Sequence, residues 1–298
     1  MSIEQDNDDD NTYTLGNIGN HYIVLACLPA GQTGTNSAAA VAMQMKSTFR
    51  AIRFGLMVGI GGGVPGIKAD IRLGDIVISQ PGNGYGGVIQ YDFGKSTPSG
   101  IERIGFPNTP PRILLTAVSK LRANNDLGKS HILDYISTLS RLPKFRREQA
   151  GDDTLFEAVY NHVGGNNYSS CNNAKKLRRS VRLVDTPKIH YGTIASGNLV
   201  IRDGATRDRI STELGEVLCF EMEAAGLMNN FPCLVIRGIC DYADSHKNKR
   251  WQPYAAGTAA AYAKELLQVI PEAEVRETRT IEAQISSSDV SMSKRGFQ

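Results

Sequence analysis

Val235-Ile236-Arg237-Gly238-Ile239-Cys240-Asp241-Tyr242-Ala243-Asp244 sets an acid directly after an apolar run. Extended back to Cys233, the run is short, bounded and β-branched, as a buried strand is. Arg237 within it needs a partner if buried, and a carboxylate is the obvious one. Asp241 could hand a proton to a leaving-group nitrogen, given surroundings that raise its proton affinity. It suits a helix N-cap equally well. Downstream, Gln252 to Ile270 is alanine-rich and reads as a helix.

Working outward, the same grammar recurs. Phe54 to Ile60 is a continuous apolar run ending in glycines, as a buried parallel strand would be. Further strands are expected at His21–Leu28, Asp75–Ser79, Val88–Phe93, Ile189–Ala195 and Val217–Phe220. Helices are expected at Asn36–Phe49, with a capping residue in front, and at Arg112–Arg122 and Ile132–Arg141. Residues 143–187 are polar with little periodicity and read as an insertion. The first dozen residues read as disordered or a truncated connection, and the charged, Ser-rich stretch after Pro271 as a flexible tail. Alternating strands and helices imply an α/β fold on a mixed or mostly parallel sheet.

The 298 residues suffice for one large domain with a buried core, and a net charge of +3 gives no case for nucleic-acid binding. Five cysteines without CxxC spacing argue against a disulfide framework and fit a reduced, cytoplasmic setting. No membrane span or leader is legible, and no metal-ligand spacing stands out.

Ligands of such folds bind at the carboxyl ends of strands. Two further strand ends therefore matter beside Asp241. Gly59-Ile60-Gly61-Gly62-Gly63 would let a ligand approach the backbone, or simply make a tight turn. Phe220-Glu221-Met222-Glu223-Ala224 offers two carboxylates able to accept from the hydroxyls of a ribose. The same acids would also favour a helix N-terminus.

In order, GIGGG (59–63), DIRLGDIVIS (70–79), YGTIASGNLVIRDG (191–204), FEMEAAG (220–226) and VIRGICDYAD (235–244) resemble the purine/uridine phosphorylase superfamily. The resemblance covers about Tyr13 to Pro271, and is strongest to the phosphorylase-like domains of fungal NLR-type receptors, which would link the chain to fungal immunity. It implies a three-layer α/β/α domain with a mixed, partly barrel-like sheet flanked by helices, and a homo-oligomer. It implies N-glycosidic cleavage of a purine nucleoside or nucleotide without a cofactor. Glu223 would bind the ribose 2′- and 3′-hydroxyls, Met222 would pack under the sugar, and Asp241 would protonate the base at N7. Arg237 would stand beside the ribose with Glu221, Gly61 and Gly62 near the sugar and nucleophile, and Val200 and Ile201 along the base.

The sequence departs from the family pattern in two places. Where phosphorylases hold phosphate with an arginine and a serine, Met57 and Ile60 stand here, which favours water as the nucleophile. The upstream strand and loop that carry the water-orienting glutamate of nucleosidases have no counterpart, and Glu4 is a poor replacement. A nucleotide such as ATP would need cations. Candidates are His246, Lys247, Lys249 and Arg250, or Lys144, Arg146 and Arg147, all of which equally suit a solvated surface. Competing readings are a sensor domain that binds a nucleotide without cleaving it, and a phosphate-dependent phosphorylase.

Overall fold

A computed structural model describes residues 5–286 other than 67, 68, 99, 106, 166 and 185. The strands are β1 (Tyr13–Ile18), β2 (His21–Ala26), β3 (Gly55–Gly63), β4 (Ile76–Ser79), β5 (Val88–Gln90), β6 (Gly94–Thr97), β7 (Gly100–Arg103), β8 (Ile189–Gly192), β9 (Ile194–Ser196), β10 (Cys219–Glu221) and β11 (Cys233–Asp241). The helices are α1 (Thr35–Thr48), α2 (Arg112–Asp126), α3 (Ile132–Leu139), α4 (Arg147–Ala150), α5 (Gly204–Glu213), α6 (Gln252–Val269) and α7 (Glu272–Glu277).

Seven strands form one mixed, curled half-barrel sheet in the order β5-β9-β10-β3-β11-β4-β8. β11 lies near its middle, parallel to β3 and antiparallel to β4. It is buried along its whole length, which is why it reads as continuously apolar and not as an alternating strand. Period-two alternation still sorts its faces. Leu234 and Ile236 join the core with Leu114 and Leu121 of α2, Ile132 of α3 and Tyr262 and Leu266 of α6. Cys233, Val235 and Ile239 join a second core with Ala38 and Ala42 of α1. Arg237 shares their parity, so the strand aims its one cation across the α1 side of the sheet.

A register shift between Ile239 and Asp241 places Ile239 opposite Gly61 and Asp241 opposite Gly62. Cys240 is thus the extra residue of a β-bulge, the device that re-aims a side chain at a strand end.

Four expectations need correction. β1 was not anticipated. It pairs with β2 in a hairpin outside the main sheet, and its four central residues are exposed, so no buried face marks it in the sequence. From Gln5 onward the expected disordered N-terminus makes specific contacts: Asp9 is buried and accepts from Tyr13 Oη at 2.6 Å and Asn11 N at 3.0 Å, and from Thr48 of α1. α1 starts behind Gly34 without a side-chain cap. The expected flexible tail is instead helical at 272–277 and 281–286, with Ile281 buried in the α1-side core; its residues 287–298 lie outside the described residues.

Candidate active site

The three strand ends singled out in the sequence do converge. β3 lies between β10 and β11, and Gly62 is in register with Phe220 on one side and Asp241 on the other. The glycines are required by the protein's own side chains. A Cβ at Gly59 would fall 2.2 Å from Arg237 Nη1, and one at Gly62 would fall 2.8 Å from Asp241 Oδ1 and 2.9 Å from Ala243 Cβ. Gly61, also buried, is in register with Ile239. The run is neither a loop nor a tight turn but a strand stripped bare so that two charged residues can cross it.

Arg237 is 3% exposed and pairs through Nη2 with Glu221 Oε2, and with Glu223 Oε2 at 3.2 Å. Burial would lower its proton affinity, but Glu221 and then Glu223 more than compensate and hold its pKa above the ordinary arginine value. Glu221 also accepts the backbone N–H groups of Glu223 (3.1 Å) and Ala224 (3.0 Å). Its side chain is fully buried, so the carboxylate is enclosed within the protein. Glu223 differs. Its Oε1 receives only a long contact from Gly34 N at 3.4 Å, and the side chain keeps 12% exposure. A carboxylate fixed at one oxygen and available at the other is suited to receive a hydroxyl pair. Met222 beside it is half-buried.

Asp241, 4% exposed, accepts Ala243 N at 2.9 Å through Oδ1 and sits 2.9 Å from Lys247 Nζ through Oδ2. Cys240 Sγ lies 3.1 Å from the same Oδ2. Burial would depress Lys247, but the Asp241 carboxylate outweighs it and holds the ammonium above the usual lysine range. Lys247, expected among the phosphate contacts, is thus the partner of the acid. Sequence reasoning missed this pairing because five residues separate the two.

The other candidates disperse. Ile201 is buried with Phe220 and Ala243, whereas Val200 is 51% exposed. His246 is buried under the ring of Phe156; Lys249 and Arg250 remain exposed. Lys144 and Arg146 are exposed. Arg147 stacks over Trp251 at 4.3 Å and lines a separate cavity of about 420 Å³ with Arg72, Arg179 and Arg182. Met57 and Ile60 pack against the core. Glu4 lies outside the described residues. Gly34, Thr35 and Asn198 were also missed. The Asn198 side chain accepts Thr35 N at 3.0 Å and so fixes the start of α1, which brings Gly34 to Glu223. The glycine-threonine loop before α1 was the only sequence signal for this contact.

A family model described as the phosphorylase superfamily matches residues 4–270. A nucleotide-binding leucine-rich repeat (NLR)-like protein of Hyaloscypha variabilis is 51% identical over 268 residues, 89% of this chain but 26% of that protein; the chain thus spans about a quarter of that relative. A 5′-methylthioadenosine/S-adenosylhomocysteine nucleosidase of Mycobacterium bovis is 25% identical, covering 87% of this chain and 85% of that one. The ATP nucleosidase Cap17 of Escherichia coli is 35% identical over 85 residues, 27% of this chain and 17% of that protein. Among solved structures, futalosine hydrolase of Helicobacter pylori superimposes with a TM-score of 0.56 at 17% identity, covering 89% of this chain and 88% of that one.

Proposed function

The chain belongs to the phosphorylase superfamily, and from that premise we propose that it is a nucleosidase hydrolysing the N-glycosidic bond of a purine nucleotide, with adenine as the base released. The observation that carries this reading is the Glu223 carboxylate. It is anchored by Arg237 at 3.2 Å, has an oxygen to spare, and sits beside a strand whose neighbour ends in Asp241.

In this mechanism Glu223 accepts the 2′- and 3′-hydroxyls of the ribose, and Arg237 keeps it from swinging away. Asp241, aimed by the bulge, carries a proton to N7 of the departing purine, so the base leaves neutral. Lys247 adjoins that carboxylate and compensates its charge once the proton has left. Water attacks C1′ as the glycosidic C–N bond breaks, the proton that water sheds passes to solvent, Asp241 regains its proton from solvent, and the products are free base and ribose or ribose phosphate. The transition state is oxocarbenium-like, and positioned charge and proton donation lower its energy. Water is preferred to phosphate because Met57 and Ile60 offer an anion no side-chain donor. ATP as substrate is supported by the partial similarity to an ATP nucleosidase, with the exposed Lys249 and Arg250 as the cations left for phosphates.

A second reading is favoured by one observation: Glu221, Glu223 and Asp241 are all ion-paired within the protein. In that reading the domain binds the nucleotide without cleaving it. The two separate on one assay. The protein is incubated with ATP, AMP, adenosine and methylthioadenosine, with and without phosphate, and free base is quantified chromatographically. Base released from a nucleotide without phosphate is the expected result. Strict phosphate dependence would identify a phosphorylase, and no base from any substrate would sink the enzymatic reading.

A further inference from the structure

Spacing along the chain gives no metal signal, yet folding brings His162 and Cys171 of the insertion against His246 of the loop after β11. One ligating atom from each lies within 4.8 Å of the other two, the one such group among the described residues. The polarity of the group is unresolved by protein alone. His246 is 5% exposed, and neither ring nitrogen has a hydrogen-bond partner; Asp244 Oδ2 is 3.7 Å from Nδ1. A buried imidazole left in that state costs free energy that a ligand would recover. His162 is set up for the same task. Its Nε2 lies 2.6 Å from the Gly165 carbonyl, which makes that nitrogen the protonated one. The lone pair of Nδ1 is then directed at Cys171 Sγ, 3.4 Å away. A backbone carbonyl holding the far nitrogen of a ligating histidine is the usual outer support of a metal site.

We propose that His162, Cys171 and His246 bind a zinc ion. Two imidazoles and a thiolate form a borderline-soft donor set suited to Zn²⁺ and poorly suited to Mg²⁺ or Ca²⁺. Three protein ligands leave the fourth tetrahedral position to water. The surroundings are aromatic: Phe156 stacks on His246 at 4.1 Å, and the Tyr168 ring meets His162 and His246 edge-on. The ion joins elements that protein contacts already bring close, since His162 N donates to Ser245 Oγ at 2.9 Å and Tyr168 Oη to the His246 carbonyl at 2.9 Å. It would therefore staple the insertion to the loop that carries Lys247 to Asp241. This proposal does not rest on the nucleosidase reading.

The test uses the full chain purified without chelator. Elemental analysis should find about one zinc per chain. Protein stripped of metal and reloaded with Co²⁺ should develop a thiolate-to-cobalt charge-transfer band. Cys171→Ser should lose both the zinc and the band, and Cys27→Ser, at an exposed thiol, should keep both. If Cys171→Ser fails to fold, the cobalt spectrum of the unaltered chain still decides. Chelation should lower the melting temperature of the unaltered chain. No zinc together with no cobalt–thiolate band in the unaltered chain would overturn the proposal, as would a band that survives in folded Cys171→Ser.

Discussion

Two buried charge networks lie in this molecule, and they are built on opposite principles. In the first, Asp75 just before β4 takes Arg182 at 2.6 and 2.7 Å, His190 at 2.8 Å, and the backbone N–H groups of Arg72 and Lys188 at 2.9 Å. Close by, Asp153 holds Arg179 at 2.6 Å and also accepts Tyr242 Oη. The Asp75 oxygens are saturated by donors from the insertion, the sheet and the loop before β4, two on Oδ1 and three on Oδ2. In the second network, at the end of β3, Glu223 has an oxygen with only a 3.4 Å contact, and Asp241 Oδ1 takes a single donor, Ala243 N, while Oδ2 faces Lys247 and the Cys240 thiol. Saturation makes a fastener, whereas incomplete saturation leaves acceptors for a ligand. Both networks look alike as a list of charged residues, and only the count of donors per oxygen separates them.

The comparison is sharpened most by the substitution with the largest expected effect. Asp241→Asn keeps an oxygen for Ala243 N but cannot donate as an acid, so base release should fall by about 10²- to 10⁴-fold. Unfolding should shift less than for Asp75, because the stranded Lys247 is partly exposed, and nucleotide affinity should survive. An unaltered turnover rate would remove Asp241 from the chemistry and leave the second network without a function.

Asp75→Ala should do the reverse. It strands Arg182 and His190, so a loss of about 3–5 kcal/mol in denaturant unfolding is expected, while turnover per folded molecule is retained. Burial raises the proton affinity of Asp75, but Arg182 and then His190 more than offset it and hold the carboxyl below its ordinary range. The folded chain thus binds this proton at lower pH than the unfolded chain does. The stabilisation is whole above about pH 4 and is lost as pH falls through the folded value. Asp75→Asn should flatten that acid limb in unfolding midpoints measured across pH, and an unchanged limb would contradict the fastener reading.

Gly62→Ala should lower stability by about 1–3 kcal/mol through overpacking. Its interest is selectivity, because the added carbon meets Asp241 Oδ1. Turnover should fall more than nucleotide affinity. An equal loss in both would mean that the glycine serves packing alone.

The sequence made the second network readable because its members sit at the ends of apolar runs. Glu221, Glu223, Arg237 and Asp241 each follow or interrupt a strand, and strand ends of one sheet meet. The main sheet and helices α1, α2, α3 and α6 were legible for the same reason, whereas α5, with little apolar periodicity, was not. The zinc candidate was not, since its ligands come from an aperiodic insertion and a distant loop. Lys247 was assigned to a ligand when it faces an acid, because residue type fixes charge and not direction. Ile281 was lost in a charged segment, where one buried apolar side chain leaves no period to detect.

The bulge at Cys240 also makes the site a matter of counting. The aim of Asp241 is set by how many residues precede it on β11, more than by which residues they are. Drift among Val, Ile and Leu along the strand leaves the acid where it is. Deleting one residue there would restore regular pleating and turn the carboxylate to the opposite face. The carboxyl end of β11 is therefore tolerant of spelling and intolerant of length, and genetic variation in β11 should be sought as substitutions and almost never as gaps.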